Sequence, residues 1–105
     1  MSNTFQQITP NEAKEIMDEQ VDCVIVDVRT VQEYEDGHIE GAISMPLPEL
    51  EYVAETEIDD YDQPILVYCR SGVRSKTASE ILVEMGYTNV YEFGGILDWP
   101  FEIES

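Results

Sequence analysis

The amino-acid sequence predicts an α/β fold: a central parallel sheet of about five short strands with helices on both faces. Two apolar runs, Val24-Ile25-Val26-Asp27-Val28 and Ile65-Leu66-Val67-Tyr68, have the composition of strands buried on both sides. Between and after them lie segments whose apolar residues recur at helical spacing. Strands that alternate with helices imply parallel neighbours joined by helical crossovers.

The first helix starts at Thr9-Pro10-Asn11-Glu12, with Thr as N-cap, Pro at the first helical position and Glu completing a capping box. Ala13, Ile16 and Met17 supply its apolar stripe. After the 24–28 strand, Thr30-Val31-Gln32-Glu33 repeats the capping box, and Gly37 is placed to end a short helix. Ala42-Ile43-Ser44-Met45 is a weak strand stopped by Pro46 and Pro48, and a helical piece runs through Leu50, Val53 and Ala54. The turn-rich Asp59-Asp60-Tyr61-Asp62-Gln63-Pro64 leads into the 65–68 strand, which runs on to Cys69. From about Arg74 to Met85 the residues Ala78, Ile81, Leu82 and Met85 follow helical spacing, with Gly86 as the stop. Val90-Tyr91-Glu92-Phe93 predicts a last strand, Gly94-Gly95 a turn, and Ile96 to Phe101 a terminal helix.

A chain of 105 residues is expected to form a single domain, residues 1–105. At that size roughly 65% of the unfolded surface is buried, enough for one core without metal or disulfide staples. Cys23 and Cys69 are too few and too far apart for a disulfide framework or a zinc cage. The N-terminus lacks the basic cluster and apolar run of a signal peptide, and no segment has the ~20 apolar residues of a membrane span. A cytoplasmic, reducing location is therefore expected, in which a free thiol persists.

The formal net charge is −18, from 23 acidic and 5 basic residues, which disfavours nucleic acid and anionic membranes as partners. Three of the five basic residues, Arg70, Arg74 and Lys76, directly follow Cys69. One basic spot in an acidic shell suits an anion, and it acts locally because charges beyond about 8 Å are screened at physiological salt.

Ligands of parallel α/β sheets bind beyond the carboxyl ends of the strands, where Cys69 is expected, at the start of a helix. Unpaired N–H groups and the helix dipole favour an anion there, and a thiolate is one. Helix N-termini and neighbouring Arg side chains lower a Cys pKa from ~8.5 to between ~3.5 and ~7.5. Gly72 permits a curled backbone whose N–H groups converge on one point. Cys23, flanked by Val21, Val24 and Ile25, is expected to be a small apolar filler instead. His38 is expected to make structural hydrogen bonds rather than serve as a base. Asp27 and Arg29 are expected to pack or pair at the end of their strand. Trp99 and the six tyrosines are expected to fill the core and its edges.

These residues together resemble the rhodanese (thiosulfate sulfurtransferase) family. The resemblance rests on Val26-Asp27-Val28-Arg29, on Gly37-His38-Ile39-Glu40-Gly41-Ala42-Ile43 with Pro46, on Val67 to Ser75, and on Gly94-Gly95 with Trp99. These pieces run in family order from about Ile8 to Trp99 and suit the single-domain type. The resemblance implies a rhodanese-like fold in which Cys69 takes the outer sulfur of thiosulfate, expels sulfite and holds the sulfur as a persulfide. It also implies that backbone N–H groups of Arg70, Ser71, Gly72, Val73, Arg74 and Ser75 stabilise that anion, while Arg70 and Arg74 receive the small anionic donor. Cyanide, a thiol or a protein acceptor would then remove the sulfur, with no metal or organic cofactor.

Two other functions fit the same fold. One is a module that relays sulfur between protein partners. The other is a phosphatase, which surrounds a phosphate with a loop one residue longer; here four residues separate Cys69 from Arg74, and the next step lands on Ser75.

Overall fold

The computed structural model describes residues 4–105. The elements run β1 (Gln6–Gln7), α1 (Pro10–Glu19), β2 (Val24–Asp27), α2 (Val31–Asp36), β3 (His38–Ile39), β4 (Ile43–Ser44), α3 (Leu50–Glu57), β5 (Ile65–Cys69), α4 (Val73–Met85), β6 (Val90–Gly95) and β7 (Ile103–Glu104). Short 3₁₀ turns lie at Leu47–Glu49 and Ile96–Asp98. The central sheet has the order β1-β6-β5-β2-β4, and every pairing in it is parallel.

Both expected capping boxes form. Thr9 Oγ1 accepts from Glu12 N at 3.1 Å while Glu12 Oε1 accepts from Thr9 N at 2.9 Å. Thr30 and Glu33 repeat the exchange at 3.1 and 3.0 Å, so each helix enters with two orphan donors satisfied. Successive strand residues point to opposite faces, which sorts the core into two clusters. On one face Val26, Val28, Ile65 and Val67 pack against Leu50 and Ala54 of α3 and Ala78 and Leu82 of α4. On the other, Ile25, Leu66, Tyr68 and Phe93 pack against Ala13 of α1 and against Ile39, Ala42 and Trp99. Helices thus cover both faces. Each fully buried aliphatic side chain contributes roughly 1.5–3 kcal/mol.

Three expectations need correction. Ile96 to Phe101 is not a helix: the 3₁₀ turn ends at Asp98, and Trp99, which precedes Pro100, is extended at φ −80° and ψ 114°. A residue before proline is pushed out of the helical region by the ring. Gly94-Gly95 is not a turn but the end of β6, where Gly95 pairs with Cys69. A Cβ on Gly95 would lie 2.0 Å from the carbonyl oxygen of Arg70, so only glycine lets these strands close. His38 lies in a strand rather than a loop, because β3 pairs antiparallel with β7. The fifth sheet strand, β1, is two glutamines without an apolar signature, and its parallel pairing with β6 makes it a strand.

Candidate active site: the Cys69 loop

Cys69 ends β5, and α4 begins four residues later. The turn between them depends on Gly72, whose φ of 104° is left-handed and strained for any residue with a Cβ. No side chain caps α4. The Cys69 sulfur occupies that place: Gly72 N–H donates to Sγ at 3.0 Å, and Ser75 Oγ lies 3.4 Å from it. The sulfur sits at the floor of the loop, Cys69 being 1% exposed. Burial pushes its pKa up, but hydrogen bonds from Ser75 and from the backbone at Gly72 and Ser71 outweigh it, so the net shift is downward. The thiolate, the nucleophilic form of cysteine, is therefore easier to reach here than in a free cysteine.

The basic residues are arranged unequally. Arg70 is exposed, and no ion pair engages it among the described residues. Arg74 is half-buried and held by Glu33 of α2 through two parallel bonds of 2.7 and 3.0 Å. The Arg74 hydrogen bonds, foremost among several causes, hold the Glu33 carboxyl at about 2. The Arg74 pKa rises, chiefly through Glu33 and to a smaller extent through the negative charge of Cys69. Lys76 is exposed on α4.

Asp27 and Arg29 form a buried ion pair, with Nη2 to Oδ2 at 2.7 Å and Nε to Oδ1 at 3.0 Å. Tyr68 also donates to Asp27 Oδ2, at 2.6 Å, and Arg29 Nη2 donates to the Gly37 carbonyl at 2.6 Å. This cluster ties the ends of β2 and β5 together. His38 is committed elsewhere: its ring stacks on Tyr34 at 3.8 Å, and its nitrogens face Tyr34 O and Glu104. Cys23 is half-buried against the α1-side cluster, and burial, foremost, raises its pKa. Tyr68, Tyr87 and Trp99 are core residues, whereas Tyr52 and Tyr61 are exposed.

Two acidic residues of this region escape sequence reasoning. Glu33 is legible only as a capping-box residue, because its partner Arg74 is 41 positions away. Glu92 is 2% exposed in β6 and accepts from Ser75 Oγ at 2.5 Å and from Gly94 N at 2.9 Å. Its signal is the alternation of Val90-Tyr91-Glu92-Phe93, which sets a carboxylate on the same side as the buried Val90. β6 also carries one extra residue between the pairs Val67↔Glu92 and Cys69↔Gly95, a bulge of the kind that re-aims side chains beside active sites.

A cleft of about 770 Å³ lies elsewhere, lined by Met17, Ile25, Ile39, Trp99 and Phe101 with Lys14 and acidic residues, and includes no residue of the Cys69 loop. No helix among the described residues is long and apolar enough to cross a membrane.

Comparison with known proteins converges on one family. The model of the rhodanese-like domain matches residues 9–100. The chain is 42% identical over 73 residues to the thiosulfate sulfurtransferase PspE of Escherichia coli, covering 70% of each. It is 36% identical over 96 residues to the thiosulfate sulfurtransferase GlpE of Coxiella burnetii, covering 90% of this chain and 87% of that one. Among solved structures, a rhodanese-like domain from Anabaena superposes with a TM-score of 0.86 at 28% identity, covering 94% of this chain and 78% of that one. A rhodanese with anions from E. coli gives 0.75 at 37% identity, covering 79% and 98%.

Proposed function

Because the chain belongs to the rhodanese-like domain family, we propose that it moves a sulfane sulfur from thiosulfate to a thiophilic acceptor through a persulfide on Cys69. Sulfurtransferase activity as such follows from the family and from the relatives' shared function. The observation that carries the finer reading is the position of the Cys69 sulfur at the uncapped start of α4, where it accepts the Gly72 N–H.

In this mechanism the thiolate attacks the outer sulfur of thiosulfate. The bond between that sulfur and the sulfonate breaks, and sulfite leaves with the electron pair. The outer sulfur, now the anionic end of the persulfide, is held by the loop N–H groups between Arg70 and Ser75. Cyanide or a thiol attacks that sulfur and takes it away, which regenerates the thiolate and makes the kinetics ping-pong. A reducing compartment, the cytoplasm, suits a cysteine that must stay free.

The test is mass spectrometry of the protein after incubation with thiosulfate: one extra sulfur is expected on the peptide that contains Cys69. Thiosulfate should also give a higher kcat/KM than 3-mercaptopyruvate, since guanidinium groups suit a compact dianion. A persulfide that forms only from mercaptopyruvate would overturn the donor assignment.

A protein thiol as acceptor is the second reading. The observation that favours it is the apolar rim of the site: Val73, in the loop, is 74% exposed, and Leu97, whose N–H bonds the Arg70 carbonyl, is 62% exposed. Exposed apolar residues beside a reactive group offer contact area to a macromolecule rather than to cyanide.

Arg74→Ala should weaken the use of thiosulfate more than it weakens the fold. The ion pair with Glu33 is partly solvated and contributes ~0–1 kcal/mol. A charge-assisted contact to a bound dianion is worth roughly 1.5–3 kcal/mol, or about 10- to 150-fold in kcat/KM. Added salt should inhibit the wild type more than the variant, because part of that attraction is screened. A variant that melts several degrees lower yet keeps near-normal kcat/KM would make Arg74 a structural strut for α2, leaving donor binding to Arg70 and the backbone.

A further inference from the structure

The proposed transfer uses the sulfur, the loop N–H groups and two arginines, and leaves the buried carboxylate of Glu92 without a task. No cation is ion-paired with it among the described residues. The groups facing it are Ser75 from α4 at 2.5 Å, Gln7 from β1 at 3.4 Å, the Gly94 N–H of its own strand at 2.9 Å, and, beyond Ser75, Cys69 from β5. Of the two cations that flank Ser75 in the chain, Arg74 is engaged by Glu33 and Lys76 is exposed.

A serine hydroxyl carries one proton. At 2.5 Å, in the range of an O–H donating to a carboxylate, that proton is donated to Glu92. Ser75 Oγ is then an acceptor toward the sulfur, and the 3.4 Å contact is a thiol donating to it. The chain thus runs from S–H to O–H to carboxylate. A thiolate at Cys69 needs the same hydroxyl proton turned toward itself, which would leave Glu92 ionised, buried and stripped of its strongest donor, at a high desolvation cost.

We propose that Glu92 is a positioning residue for Cys69, acting through Ser75, and that the two acids hold one negative charge between them. Cys69 ionises as its proton passes to Ser75 Oγ and the Ser75 proton passes to Glu92 Oε2. One S–H and one O–H bond break, two O–H bonds form, and the charge moves from carboxylate to sulfur. Attack on thiosulfate then leaves a persulfide anion beside a neutral Glu92, and removal of the sulfur lets the proton return. This proposal rests on Cys69 being the reacting group, but its test needs no sulfur donor.

The test is the pH dependence of Cys69 alkylation by iodoacetamide, read by peptide mass spectrometry so that Cys23 is scored separately. In Glu92→Gln the neutral amide competes less for the Ser75 proton. The midpoint should fall by about one pH unit or more, which raises the rate at pH 6 about tenfold. In a Ser75→Ala background the same substitution should move the midpoint by less than about a third of that shift. An unchanged or raised midpoint in Glu92→Gln, or an undiminished shift without Ser75, overturns the proposal. Should Glu92→Gln not fold, ¹³C NMR of glutamate side chains in the wild type decides. The Glu92 carboxyl signal should inflect at the pH where Cys69 ionises and lose that inflection on alkylation; a signal indifferent to Cys69 overturns the proposal. Failure of thiosulfate to load Cys69 would defeat the sulfurtransferase mechanism while leaving these titrations intact.

Discussion

Cys69→Ser should abolish sulfur transfer, lowering kcat/KM by at least about 10³-fold, or some 4 kcal/mol of transition-state stabilisation. A hydroxyl in place of the thiol stays protonated at neutral pH and cannot hold a sulfane sulfur as a persulfide, so no parallel route remains. The substitution removes one sulfur atom's worth of packing from a residue that closes a strand, and the Gly72 N–H keeps an oxygen acceptor. The fold should therefore survive, as circular dichroism and the melting temperature would show. Cys23→Ser is the control. Cys23 stands half-buried at the opposite end of the sheet, beside the start of β2, and its burial, with the charge of Asp22, discourages the thiolate. Full loss of activity in Cys23→Ser with the fold intact would falsify the assignment of Cys69 as the sole sulfur carrier.

The largest stability effect is expected from Asp27→Ala. Asp27 is fully buried and holds together Arg29 and Tyr68, both of which are themselves buried. Without the carboxylate, a buried guanidinium retains the Gly37 carbonyl as its partner, and the Tyr68 hydroxyl loses its acceptor. Removing one member of a buried pair costs about 3–5 kcal/mol. For a domain of this size each kcal/mol shifts the melting temperature by about 4–8 °C, so a fall of about 12 °C or more is expected by calorimetry. Asp27→Asn should fall less, because the amide still accepts from Tyr68. A loss of only two or three degrees in Asp27→Ala would mean that solvent reaches Arg29 and satisfies it.

Local chemistry made much of this molecule legible in its sequence. Thr9 with Glu12 and Thr30 with Glu33 announce helix starts because both halves of a capping box lie within one turn of chain. The Cys69 loop is legible for the same reason: sulfur, glycine and helix start are neighbours in sequence. What escaped is non-local. β1 and β7 have two residues each and no pattern of their own, and their partners Tyr91 and Glu92, or His38 and Ile39, make them strands. Arg74 is visible as a charge, but its anchor Glu33 already has an evident role as a cap. Glu92 looks like an ordinary acidic residue in a very acidic chain until the register of β6 against β5 turns it beneath Ser75. The terminal helix fails at Pro100, which outweighs the apolar spacing from Ile96 to Phe101.

The two outermost strands of the sheet, β1 and β4, are each only two residues long. An open sheet of five strands ordinarily leaves two rows of unpaired backbone groups on which another chain could crystallise out as further strands. Here an incoming chain finds a ladder too short to hold it. Beyond β4 it meets Pro46, which has no N–H to offer, and throughout it meets a surface of net charge −18. The brevity of these edges thus works against fibre growth, because the folded sheet leaves little edge on which a second sheet could pair.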